Sequence, residues 1–232
     1  MIKSLLNKIL ERKKYRILLF LILSNFFGLG LLTFRMIFTS NLTFIFLIWN
    51  IFLAAIPFII SSVYSKYDKH FKSRIILFLT VIVWFPFFPN APYIITDLFH
   101  LWQRNDIPLW FDLILILTFA LNGMLFGFLS LYEFQKIIIR RFNAKIGWGF
   151  AICALIAGSF GVYIGRYFRW NSWDIIFNPI SLARDIVNVF IHPIKNSSVF
   201  GMTIFFSCFF IISYAAIQFL YKHINTEYKN AD

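Results

Sequence analysis

Apolar residues run through this chain in long stretches separated by short polar or basic breaks, and the period and length of the stretches predict helices that cross a bilayer. The first spans run over 17–34 and 42–64, with Pro57 tolerated as a kink inside the second. A third begins at Ile75 and meets Pro86, Pro89 and Pro92 at intervals of three, so its regular helix should fail there and resume at Tyr93. A fourth covers 109–131, with Asp112, Ile116, Phe119, Gly123, Gly127 and Ser130 on one seam. The fifth carries Gly147, Ala151, Ala154, Gly158, Gly161 and Gly165, a stripe of small residues that lets a neighbouring helix approach to backbone contact. On a continuous helix Arg169 would extend that stripe by one turn. Asn178 as cap and Pro179 at the first helical position open a helix too short to span, ending at His192-Pro193 and amphipathic enough to lie at the interface. A last span over 199–221 completes the expectation: an all-α membrane protein of six transmembrane helices, with a proline-broken third span and an interfacial helix before the last. One membrane domain at 17–221 is expected between a basic head at 1–16, whose Leu5, Leu6, Ile9 and Leu10 fall at helical spacing, and a tail at 222–232.

Composition agrees with that class. Of 232 residues 60% are hydrophobic and only 14% charged, with a mean hydropathy of +0.75. The net charge of +12 would suggest nucleic acid in a soluble protein, but here the basic residues cluster between apolar stretches, the pattern of topology signals and anionic-lipid contacts. Membrane lipids are the expected partners, and nucleic acid is not. With the N-terminus inside, only Arg35, Arg104, Arg166, Arg169, Arg184 and Lys195 of the 22 Lys and Arg fall outside. This bias predicts a bacterial cytoplasmic membrane protein with both termini cytoplasmic. No cleavage site follows the basic head, so it is read as a retained anchor. Cys153 and Cys208 sit in apolar runs far apart and read as small core residues, not as a disulfide or a metal pair. Trp49, Trp84, Trp102 and Trp110 fall near the outer boundary and read as belt residues.

Two polar motifs interrupt the apolar background. The first, P-N-A-P-Y-I-I-T-D-L-F-H-L, occupies 89–101, and the second, G-R-Y-F-R-W-N-S-W-D, occupies 165–174. At helical rise Asn90 lies about 24 Å from Arg74, and Arg166 about 31 Å from Lys145, so both motifs reach one depth at the outer boundary. In these two motifs the chain resembles a family of bacterial membrane proteins catalogued as domain of unknown function 1361. The resemblance covers most of the multi-span region and implies an integral membrane fold without an assigned activity.

The residue types suggest chemistry of several kinds. Arg166 and Arg169 would share a face at i, i+3 if the fifth helix continued, and guanidinium forks take phosphate or carboxylate in a bidentate way. Alternatively both snorkel to headgroups among Tyr167, Trp170 and Trp173. Asp97, His100 and Arg104 share a face. Asp97 and His100 could serve as an oriented general base, or as metal ligands completed by His192 or Asp174, or Asp97 could pair with Arg166 or Arg169 and lock two helices. No metal site or cofactor is assigned. Asn90 could offer its amide to a ligand or cap the resumed helix. The leading expectation is an outward pocket between the broken third span, the end of the fifth and the interfacial helix. It would hold an anionic lipid or phosphorylated envelope precursor, with Asn90, Arg166, Arg169 and Asn171 binding and Asp97, His100 and Asp174 as acid/base candidates of a transferase or hydrolase. A transporter, suggested by the broken span, and a scaffold without chemistry are the other classes.

Overall fold

The computed structural model describes the backbone of residues 2–68, 70, 73–103 and 106–230, with side chains between 16 and 223. Arg104 and the side chains of residues 1–15 of the basic head lie outside the described residues. The described residues are mostly helical, without a strand: α1 Ile2–Thr39, α2 Phe46–Tyr67, α3 Arg74–Trp84, α4 Asn90–Tyr93, α5 Leu109–Arg141, α6 Ala144–Tyr167, α7 Asp174–Phe177, α8 Pro179–Ile191 and α9 Ser197–Asn230. Six stretches among the described residues are long and apolar enough to cross a membrane: Arg16–Thr39, Phe46–Tyr67, Arg74–His100, Leu109–Arg141, Ala144–Tyr167 and Ser197–His223. The protein is a multi-pass bundle in which α5 is the most enclosed span, while the first and last present rows of exposed Phe and Ile to lipid.

The third span breaks where its prolines predict, and the path between the two halves is short. After α3 a 3₁₀ turn covers Phe85–Phe87, α4 adds one α-turn, and a second 3₁₀ stretch, Ile94–His100, carries the chain on to the end of the span. Helix therefore resumes at Asn90, earlier than expected, and tightens from Ile94. Pro89 has no N–H for the carbonyl three residues back, and the Ser172 hydroxyl donates to that Pro86 carbonyl at 2.7 Å. The Asn90 amide donates to the Phe87 carbonyl at 3.1 Å, so the break carries its own replacement donors.

This broken segment is wedged between α5 and α6, and the small-residue stripes exist to admit it. A Cβ on Gly123 would lie 2.7 Å from the Ala91 carbonyl oxygen, and one on Gly161 2.6 Å from Cγ of Pro89. Trp84, expected in the interfacial belt, is instead fully buried among Phe88, Phe134 and Phe150, with its indole N–H on Ser130 Oγ. The wedge turns it inward, away from the surface that Trp49, Trp102 and Trp110 occupy.

Span one also departs from its expected end. The helix passes Arg35 and continues to Thr39, because Arg35 is not a loop residue: it is 1% exposed and forks onto Asp112 at 2.7 and 3.2 Å, with its guanidinium 4.5 Å from the Phe44 ring centroid. At the opposite end of the bundle Arg140 and Arg141 both reach Asp68, at 2.8 and 2.6 Å, and tie α5 to the end of α2.

Candidate functional site

The two polar motifs meet at the end of the bundle where α6 stops. Its helix ends at Tyr167, so Arg169 does not continue the small-residue stripe. Arg169 instead takes a left-handed backbone with φ 60°, and the N–H of Trp170 turns back to the Ile164 carbonyl at 3.5 Å. That reversal brings Asn171 and Ser172 over the proline break. Ser172 then bridges both halves of the site, accepting from Asn90 Nδ2 at 2.8 Å while donating to Pro86.

Behind this bridge lies the ion pair of the third and fifth spans. Arg166 donates from Nη1 to Asp97 Oδ1 at 3.1 Å and to the Tyr93 hydroxyl at 3.3 Å. Its guanidinium also lies within 6 Å of the Tyr93 and Phe99 ring centroids, at 5.7 and 5.8 Å. The other Asp97 oxygen accepts from Asn50 Nδ2 at 2.8 Å, and Asp97 itself is 1% exposed. Asn50, on α2, was missed by sequence reasoning. The available signal was one amide in an otherwise apolar span, at the depth of Trp49.

A cavity of about 290 Å³ opens beside these groups. Its walls combine Leu53, Phe85, Phe160 and Ile164 with the polar side chains of Asn50, Asn90, Tyr93, Asn171 and Ser172. Helix α8 closes one side through Leu182 and Ile186, held by Asp185, which accepts from the indole N–H of Trp170 at 2.8 Å. The outer face of α8 stays apolar and exposed at Ile180, Val187 and Phe190, as an interfacial helix requires. Trp173 meets Trp49 edge to face at 6.3 Å across the rim.

The remaining sequence candidates sit apart from the cavity wall. Asp174 accepts from the Asn171 backbone N–H at 2.7 Å and from the side chains of Asn171 and Asn178, both at 3.3 Å. The backbone N–H foremost holds its carboxyl below the usual carboxylate range, so it is a charged cap on its own turn at neutral pH. Asn178 occupies the cap position of α8 without a side-chain cap hydrogen bond, while its Nδ2 donates to Asp174. His100 is exposed, its ring 5.6 Å from that of Phe46. Arg169 is exposed and makes no ion pair among the described residues, and no group of three or more His, Cys, Asp or Glu is placed to hold a metal among them. The geometry thus joins Asn50, Tyr93, Asp97 and Arg166 into one network and Asn90, Ser172 and Pro86 into another, with the cavity between them.

A family model described as "Protein of unknown function (DUF1361)" matches residues 49–213. The match begins inside α2, leaving span one and Arg35 outside it, and takes in both polar motifs. No curated protein and no solved structure matches the chain.

Proposed function

The chain belongs to the DUF1361 family of proteins of unknown function, and from that premise we propose that it binds a lipid-like amphiphile in the cavity at the proline break. One observation carries this reading: a single cavity is apolar along Leu53, Phe85, Phe160 and Ile164 and polar along Asn50, Asn90, Tyr93, Asn171 and Ser172. A chain segment of the ligand occupies the first side and its head the second. Arg166 supports the wall through Tyr93 and acts as a positioning residue, its charge being matched by Asp97. An anionic head group is the second reading, favoured by Arg169 and Arg184, both exposed and without an ion pair among the described residues.

Ala157 lines the cavity and makes no polar contact there, so Ala157→Trp fills the space without removing a hydrogen bond. Lipid mass spectrometry of purified wild type is expected to show a co-purifying amphiphile that is absent from equally well-folded Ala157→Trp. Identical profiles would remove the cavity from the account.

We place the protein in a cytoplasmic membrane with the cavity facing outward and both termini inside, on the strength of the basic residues gathered at the 66–74 and 136–145 turns. In intact cells a cysteine at Lys195 should react with a membrane-impermeant maleimide while one at Lys145 should not. The reverse labelling would invert the assignment.

A further inference from the structure

Resting on the amphiphile reading, we infer that the head group this cavity takes is an uncharged polyol, of the kind a sugar-headed lipid carries, rather than a phosphate or an ammonium. The argument starts from how the three wall amides are spent. Asn90 gives both N–H bonds away, to the Phe87 carbonyl and to Ser172 Oγ. Asn50 gives one to the Asp97 carboxylate, and Asn171 gives one to the Asp174 carboxylate. A carbonyl and two carboxylates accept only, so these partners set which end of each amide is nitrogen. The three Oδ1 atoms therefore remain, and none has a hydrogen-bond partner among the described residues. Those of Asn50 and Asn90 are also not sealed inside the protein, which leaves them open to the cavity that both residues line.

The donors left over are few. Asn50 and Asn171 each keep one N–H, and the Tyr93 hydroxyl, which accepts from Arg166, keeps its own proton to give. The Trp49 indole N–H in the same lining is a further donor, so the wall offers both acceptors and donors. Of the carboxylates near it, Asp97 is matched by Arg166, Asp174 accepts from Asn171 and Asn178, and Asp185 accepts from the Trp170 indole.

That pattern discriminates among head groups. A phosphate is an acceptor on every oxygen and would face three amide oxygens with no free cation among the lining residues. No carboxylate is among the lining residues, so an ammonium would leave water without an acid in the wall to meet it. A hydroxyl is donor and acceptor at once, and neighbouring hydroxyls on one ring repeat the pair that each of Asn50 and Asn171 presents. The apolar faces of such a ring find Trp49, Phe85 and Trp170 in the same lining. At about 290 Å³ the cavity is at the small end for a binding site, suited to one ring and not to a whole lipid.

The test uses the full chain in nanodiscs, read by native mass spectrometry and Trp fluorescence. Four probes are compared: a monoglucosyl diacylglycerol, phosphatidylglycerol and phosphatidylethanolamine of matched chains, and free glucose. The glucosyl lipid is expected to bind about tenfold more tightly than either phospholipid, as two or three neutral hydrogen bonds supply. Asn171→Ala, at the most exposed of the three amides, should remove about two- to tenfold of that preference. Preference for phosphatidylglycerol or phosphatidylethanolamine, sensitive to Ala157→Trp, would overturn the polyol assignment while leaving the amphiphile reading intact. Free glucose binding as tightly as the lipid would keep the polyol site and overturn the amphiphile reading. Binding of every lipid unchanged by Ala157→Trp would overturn both.

Discussion

Arg166→Ala is expected to destabilise the folded protein by about 3–5 kcal/mol, the cost typical of stranding one partner of a buried ion pair. The Asp97 carboxylate, 1% exposed, would keep only the Asn50 amide among its described partners. Thermal unfolding of purified protein in detergent should show the loss directly. Adding Asp97→Asn to the same chain removes the stranded charge while preserving an oxygen for Asn50, so most of the stability should return. If the double variant is no better than Arg166→Ala alone, the loss comes from packing against Tyr93 and Phe99 and the charge pair is not its cause. The pair also bears on the cavity, because Asn50 and Tyr93 line it and are held by Asp97 and Arg166 respectively. Recovered stability with lost ligand would identify the pair as a device that sets the wall in place.

A comparably large effect is expected from a single methyl group at Gly123. In an open helix Gly→Ala raises helix propensity, a gain of up to about 1 kcal/mol. Gly30, with nothing within 4 Å of an added Cβ, should behave in that way. At Gly123 the same atom would sit 2.7 Å from a backbone carbonyl oxygen, which has no rotamer through which to yield. Moving it means moving Ala91 and the whole proline break, so overpacking outweighs the propensity gain by about 1–3 kcal/mol or more. Gly161→Ala, pressing on the Pro89 ring, should act in the same direction. Matched melting curves of Gly30→Ala and Gly123→Ala read the difference, and equal behaviour of the two would refute the wedge.

These expectations show how far one-dimensional information reaches. The spacing of Gly147, Ala151, Ala154, Gly158, Gly161 and Gly165 announces that something comes close, since only a small-residue surface serves that purpose in a bundle. It does not say what comes close, and the answer is Ile139 of α5 at Gly147 and Phe88, Pro89 and Tyr93 of the broken span at Gly158, Gly161 and Gly165. The two polar motifs could be brought to one depth by counting helical rise from their basic ends. Their joining through Asn90 and Ser172 required the turn at Arg169, which helical extrapolation passes over because it treats the helix as unending.

The six spans, the position of the proline break and the interfacial helix were determined by the sequence itself, because bilayer thickness, helical rise and the missing proline N–H act within a single segment. The partners were decided by the tertiary structure alone: Arg35 with Asp112, Asn50 with Asp97, Trp84 with Ser130. Each joins residues some 45 to 80 positions apart, and their pairing depends on which helix faces meet. Hydrophobicity marks a face as buried but carries no label for its neighbour, so only packing settles where a polar group buried in a membrane finds its match.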